Sequence, residues 1–254
     1  MTRIFAALQV RMGSSRLPGK VMRNVLGTPL IGHLLNRLSY CQHLTGVVVA
    51  TSTRPENDVI ETYCHSRGVA CFRGSEDDVL GRMVGALAMV EAEIGVEVFG
   101  DCPLIDPHIV DEMIVRYCAS KDALQWIGND LTTSYPPGME VEVFATAALA
   151  DSAARTYDPA VREHGTLFIR QNPTIYNILN VEAPEQLRRP DLSLEVDTDV
   201  DLDVAAVILE HFQLRPDFSL SDIIAFLDAN PQLADRNRHV LRRWKQYRND
   251  ETHG

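Results

Sequence analysis

No stretch of about 18 consecutive apolar residues occurs in the 254-residue chain, so nothing in it has the length of a transmembrane helix. Met1-Thr2-Arg3 passes straight into a strand-like segment without a small-residue cleavage site, so no membrane insertion and a cytoplasmic location are expected. Positive charge is also in deficit. A net charge of −11 disfavours a nucleic-acid partner, because binding a phosphate backbone needs a basic face. The five cysteines, Cys41, Cys64, Cys71, Cys102 and Cys118, are odd in number and widely spaced, which suits reduced core thiols better than disulfides or a zinc site. Neither an internal repeat nor a low-complexity linker is present, and G-x-G-x-x-G, the dinucleotide fingerprint, is missing. What remains is 45% hydrophobic and 23% charged, enough for one large α/β domain or two small ones.

Against this acidic background, Arg11-Met-Gly-Ser-Ser-Arg-Leu-Pro-Gly-Lys20 carries three cations directly after the apolar run Ile4–Val10. Such a run is short enough for a buried strand, and in an open α/β sheet ligands bind beyond the strands' carboxyl ends. The loop is not a Walker A motif: five residues separate Gly13 from Gly19 where four are needed, and Val21 occupies the Ser/Thr position. Arg11, Arg16 and Lys20 are therefore candidates for a different polyphosphate grip, the alternative being a surface turn with solvated cations. The basic tail from Arg236 to Arg248 competes for that role. Its Val240, Leu241 and Trp244 follow helical spacing, so a solvated amphipathic helix is expected there.

Strand-like and helix-like segments alternate through the first 120 residues, which predicts a mainly parallel sheet with crossover helices. Thr28-Pro29 is the expected cap and first turn of a helix bearing Leu30, Ile31, Leu34, Leu35 and Leu38. Later segments predict an exposed or half-buried strand over 140–144, helices over 145–155 and 162–171, and strands over 175–181 and 192–196. A helical extension is expected from residue 219 to 254.

Asp101 and the group Asp197, Asp199 and Asp201 fall where two strands are expected to end, and hard carboxylate oxygens there suit Mg²⁺ beside a nucleoside triphosphate. Equally, Asp101 could be a turn residue and the Asp197–Asp201 group a helix cap.

Four segments, Gln9–Lys20, Arg73–Leu80, Gly100–Pro107 and Arg162-Glu-His164, together resemble the SpsF-like cytidylyltransferases of spore-coat polysaccharide synthesis. These are related to the sugar-acid cytidylyltransferases that make CMP-sialic acid and CMP-Kdo. The resemblance implies a nucleotide-diphospho-sugar transferase fold, GT-A-like: a three-layer α/β/α sandwich with a mainly parallel mixed sheet, the transferase domain spanning 1–218. It implies CTP as donor, an anionic sugar as acceptor, Mg²⁺ as cofactor, and pyrophosphate as product. Arg11, Arg16 and Lys20 match the triphosphate-binding cations, Asp101 the metal-binding aspartate, and Asp197 with Asp199 the second metal carboxylate. Leu8, Gln9, Val10, Met12, Gly13, Ser52 and Ser75 would line the nucleotide, and Glu140, Glu142 and His164 the acceptor. Gly81 and Glu140 depart from the family pattern, where acidic residues and an aspartate are usual. The oligomeric state stays open, with the Tyr135–Phe144 arm a candidate contact for a possible homodimer. The competing activities are a GT-A glycosyltransferase, which leaves the cationic loop without a reason, and a noncatalytic nucleotide-binding module.

Overall fold

The computed structural model describes residues 2–242. In chain order its elements are β1 (Ile4–Gln9), β2 (Asn24–Val25), β3 (Thr28–Pro29), α1 (Leu30–Leu38), β4 (Gly46–Ser52), α2 (Asp58–Ser66), β5 (Ala70–Gly74), α3 (Val79–Met89), β6 (Ile94–Phe99), α4 (Pro107–Ser120), β7 (Trp126–Gly128), β8 (Glu142–Ala145), α5 (Thr146–Arg155), α6 (Pro159–Arg162), α7 (Leu167–Gln171), β9 (Ile178–Asn180), α8 (Asp199–His211), α9 (Leu220–Ala229) and α10 (Pro231–Ala234). Seven strands form one sheet in the order β5-β4-β1-β6-β8-β7-β9. Every neighbouring pair is parallel except the two made by β8, which runs against both β6 and β7. This is the expected α/β architecture with a mainly parallel mixed sheet.

The central strands are apolar on both faces because helices cover both. Alternation along β1 sends Ile4, Ala6 and Leu8 into a core shared with α1, α2, α4, α8 and α9, and Ala7 into a second core under α3, α5 and α7. Phe218, Leu220, Ile223, Leu227 and Leu233 belong to the first of these cores, so α9 and α10 pack on the same apolar mass as the sheet.

Several local expectations are corrected. Thr28 does not cap α1. Thr28-Pro29 pairs instead with Asn24-Val25, around Leu26 and Gly27, whose φ values of 51° and 81° mark a tight hairpin turn. The strand expected over 140–144 starts at Glu142 and is buried, with half-buried Glu140 outside it: Val141, Glu142, Val143 and Phe144 are all at 1% exposure or less, because β8 lies between β6 and β7. Residues 162–171 do not form one helix; they break between α6 and α7, where Gly165 packs its backbone against Met83 and Glu97. The segment 192–196 is buried through Leu192, Leu194 and Val196 but forms no strand. Its amides bond to two unrelated segments, Leu194 N–H to the Pro137 carbonyl and Val196 N–H to that of Asp101, so no ladder can grow.

In the Tyr135–Phe144 arm, Tyr135 and Met139 are buried within the chain's own core. The basic tail is not helical over 236–242, and Arg242 is buried rather than solvated. Trp244 to Arg248 lie outside the described residues.

Candidate active site

Because β5, β4, β1 and β6 are parallel neighbours, their carboxyl ends emerge on one edge of the sheet. The cationic loop leaves β1 there and the Asp101 turn leaves β6 beside it. Gly100 makes the close approach feasible: a Cβ at that position would stand 2.4 Å from Val10 Cγ1 and 2.7 Å from the Gln9 carbonyl oxygen. The loop is then folded by its own backbone. The Met12 carbonyl accepts from both Ser14 N–H and Gly19 N–H, each at 2.9 Å. Gly19, at φ 68°, takes the left-handed conformation that glycine adopts without a Cβ penalty and turns the chain into a 3₁₀ turn beginning at Lys20.

That turn aims the Lys20 ammonium between two carboxylates that are far apart in sequence. Lys20 Nζ lies 2.8 Å from Asp101 Oδ2, 3.2 Å from Asp197 Oδ1 and 2.9 Å from the Val196 carbonyl. Arg16 reaches the other oxygen of Asp197, at 2.5 Å, and also donates to the Leu241 carbonyl at 2.9 Å. Burial by itself would lower the Lys20 pKa, but the Asp101 and Asp197 charges and hydrogen bonds outweigh it and hold the ammonium raised. Burial pushes the Asp101 carboxyl up, and the Lys20 charge beside it overrides that and holds it below its ordinary value. Two of the three expected cations thus share one acidic focus.

The third is directed elsewhere. Arg11 pairs with Glu76 at 3.0 Å, and Glu76 also faces Arg54 at 3.8 Å. Met12 N–H donates to Asn57 Oδ1 at 2.8 Å, and Asn57 Nδ2 donates to Ser52 Oγ at 2.7 Å, which ties the loop to the end of β4. Val10 N–H bonds to the Ala50 carbonyl, while Leu8 is fully buried in β1. Ser75 is exposed beyond β5, its carbonyl held by Arg82 together with that of Glu76. A Cβ on Gly13 would stand 3.8 Å from Glu76 Oε1, an ordinary contact distance. The edges of β1, β4 and β5 therefore form one cradle around this Arg11 and Glu76 pair.

On the far side of β6, Glu140 accepts from Gly138 N–H at 2.7 Å and joins Asp101 and Glu195 in bearing on the Cys102 thiol. Glu142 does not reach this surface. Its Oε2 accepts from Trp126 Nε1 at 2.9 Å and from Thr166 Oγ1, and its Oε1 is 3.9 Å from Arg170. Burial, then the neighbouring Asp130, pushes its pKa up to about 7 against the pull of Arg170. His164 is half-buried in the break between α6 and α7. Just before it, Arg162 donates to Asp78 Oδ2 at 2.7 Å, while Asp78 Oδ1 caps α3 by accepting from Gly81 N–H at 2.8 Å. That geometry explains Gly81: a Cβ there would lie 2.3 Å from Asp78 Oδ2.

A cytidylyltransferase family model matches residues 6–226. The chain belongs to the cytidylyltransferase family. It is accordingly a nucleotidyltransferase enzyme. The spore coat polysaccharide biosynthesis protein SpsF of Bacillus subtilis (strain 168) is 34% identical over 239 residues, covering 92% of this cytidylyltransferase and 98% of that protein. A solved cytidylyltransferase from Leptospira borgpetersenii superposes with a TM-score of 0.87 at 28% identity, over 95% of this chain and 100% of the other. CMP:2-keto-3-deoxy-manno-octonic acid synthetase, solved with CTP, shares the fold at a TM-score of 0.63 and 18% identity, over 83% and 99% of the two chains.

In this cytidylyltransferase the aspartates at the start of α8 divide three ways. Asp197 faces Lys20 and Arg16. Asp199 does not join it; its side chain is 70% exposed and pairs with Arg23 at 3.1 Å. Asp201 closes a capping box with Thr198 and takes Arg242 at 2.6 Å. Among the described residues no group of three or more His, Cys, Asp or Glu gathers as a metal cage. Asn57, Glu76, Arg82 and Arg242 are the site-edge residues that sequence reading missed. Asn57 lay in a segment with the turn chemistry of an ordinary loop, Glu76 fell within the Arg73–Leu80 segment without being singled out, and Arg242 was masked by a helical pattern of apolar residues. No helix among the described residues is long and apolar enough to cross a membrane.

Proposed function

We propose that this enzyme transfers CMP from CTP to an anionic sugar, with release of pyrophosphate, in the synthesis of a surface polysaccharide or related glycoconjugate. The observation that carries this reading is the convergence of Lys20 and Arg16 on Asp101 and Asp197 at the strand edge of a family-typical sheet. In the proposed reaction an acceptor oxygen attacks the α-phosphorus and the bond to the β-phosphate oxygen breaks. Arg11, Arg16 and Lys20 hold the triphosphate and meet the negative charge that grows on departing pyrophosphate. Backbone from Leu8 to Val10, with Met12, Gly13, Ser52 and Ser75, lines the nucleoside. Glu140 and His164 lie toward the acceptor.

Asp101 and Asp197 fit Mg²⁺ by the chemistry of their donors: two hard carboxylates already sharing one cation, the number this metal usually takes from protein while phosphates and water complete its shell. When bound, the metal supplies Lewis-acid neutralisation of phosphate oxygens. Asp101 and Asp197 also keep Lys20 charged and pointed at the phosphate position.

A pyrophosphate-release assay crossing the four nucleoside triphosphates with a panel of anionic sugars tests the reading. Release with CTP and at least one sugar acid, and little with ATP, GTP or UTP, is expected. Absence of release with CTP and every acceptor would reject the reading.

A further inference from the structure

Arg242 lies beyond α10, in a segment whose sequence predicts a solvated surface. Its side chain is nonetheless only 2% exposed, and it is inserted among three carboxylates. Arg242 Nη2 is 2.6 Å from Asp201 Oδ1, Nε is 3.4 Å from Glu195 Oε1, and Nη1 is 3.9 Å from Asp197 Oδ2. Burying a guanidinium costs several kcal/mol of desolvation unless it is well paired, and these carboxylates would repel one another without it.

The connection runs from Arg242 to the strand edge in two steps. Asn237 and Arg242 fix one oxygen of Asp201, while the other accepts from Asp197 N–H at 3.1 Å and Thr198 N–H at 2.8 Å. Asp201 thereby clamps the backbone that carries Asp197, whose carboxylate is left facing Lys20 and Arg16. The neighbouring Leu241 carbonyl holds Arg16 from its other side. Both members of the Arg16 and Asp197 pair are thus braced by two consecutive residues of the C-terminal segment.

We propose that Arg242 is a positioning residue of the nucleotide site, holding Asp197 in place and offsetting enough carboxylate charge for Lys20 and Arg16 to engage a triphosphate. This rests on the nucleotide reading above. Without Arg242, the excess negative charge of Glu195, Asp197 and Asp201 would retain Lys20 and Arg16 and oppose the incoming phosphates.

Calorimetric titration with Mg²⁺·CTP, alongside steady-state pyrophosphate release, tests this in the full-length chain. Arg242→Ala should weaken nucleotide binding by about tenfold or more, the range seen when a supporting partner of a charged site is removed. KM for CTP should rise more than kcat falls. Arg238→Ala, which removes an exposed pair with Asp235 on the same segment, should bind as the wild type does. A cavity of about 460 Å³ lined by Ser193, Arg238, Val240 and Arg242 leads to the site of the lost side chain. Millimolar guanidinium chloride should therefore restore binding to Arg242→Ala where equal sodium chloride does not.

Should Arg242→Ala fail to fold, Arg242→Lys carries the test, since lysine keeps the charge and loses the fork; it should bind CTP several-fold more weakly. Wild-type affinity in either folded variant, or a loss matched by Arg238→Ala, overturns the proposal. A wild-type chain that binds no CTP would instead reject the nucleotide reading itself.

Discussion

Asp101 has one carboxylate oxygen on Lys20 and accepts weakly from the Cys102 thiol at the other. Exchanging it for Asn keeps the shape and removes the charge, so two consequences follow. The proposed metal loses a ligand and Lys20 loses its stronger partner. Asp101→Asn should move the Mg²⁺ concentration for half-maximal pyrophosphate release upward by about 10- to 100-fold. An unchanged magnesium titration would remove Asp101 from the ligand set. Asp199→Asn serves as the contrast, since that side chain faces Arg23 at the surface, and its titration should match the wild type. At this scale the sequence was legible where chemistry is local. The placement of Arg16, Lys20 and Asp101 at a strand edge was readable from their loop positions. The choice among Asp197, Asp199 and Asp201 was not, because it depends on which side chain meets a lysine 177 residues away.

Elements were legible in proportion to how much of their stability is local. α4 starts on local chemistry, with the Asp106 side chain accepting from His108 N–H and Pro107 in the first turn. β1 was readable as an apolar run because both faces of the sheet are covered. β7, with three residues, carries too little pattern to find, and 192–196 imitates a strand because burial alone imposes alternation. Where elements cross, the fit is tight. Gly100→Ala would drive a methyl into Val10 and the Gln9 carbonyl, and should destabilise the fold by roughly 1 to 3 kcal/mol through overpacking. Urea unfolding should show a lower midpoint with an unchanged slope. A midpoint equal to that of the wild type would contradict the closeness of the β1 and β6 exits.

For the whole molecule, the buried acids under α5 and α7 make stability depend on pH. Burial, then Glu142, raises the Glu97 pKa well above its ordinary value, and that of Glu142 reaches about 7 where 4.5 is usual. The folded state therefore keeps protons that the unfolded chain releases. This contribution is fully present below about pH 4.5 and is lost as pH rises to about 7, amounting to up to about 3 kcal/mol for Glu142. Carboxylates held low by cations, among them Asp101, Asp78 and Asp201, act in the opposite sense at more acidic pH. Chemical denaturation between pH 5 and pH 8, as tested values of about one unit apart, should show stability falling in the wild type and less so in Glu142→Gln. Parallel profiles for the two proteins would contradict the assignment of that loss to Glu142.

The molecule's function turns on whether the first loop and the acidic turns opposite it grip one triphosphate. Steady-state pyrophosphate release from CTP by Lys20→Ala, with acceptor saturating and folding checked by circular dichroism, tests this most directly. Loss of the ammonium should lower kcat on the order of 10²- to 10³-fold, as expected for a charged contact that strengthens while the leaving group departs. Near-wild-type release by folded Lys20→Ala would contradict the account.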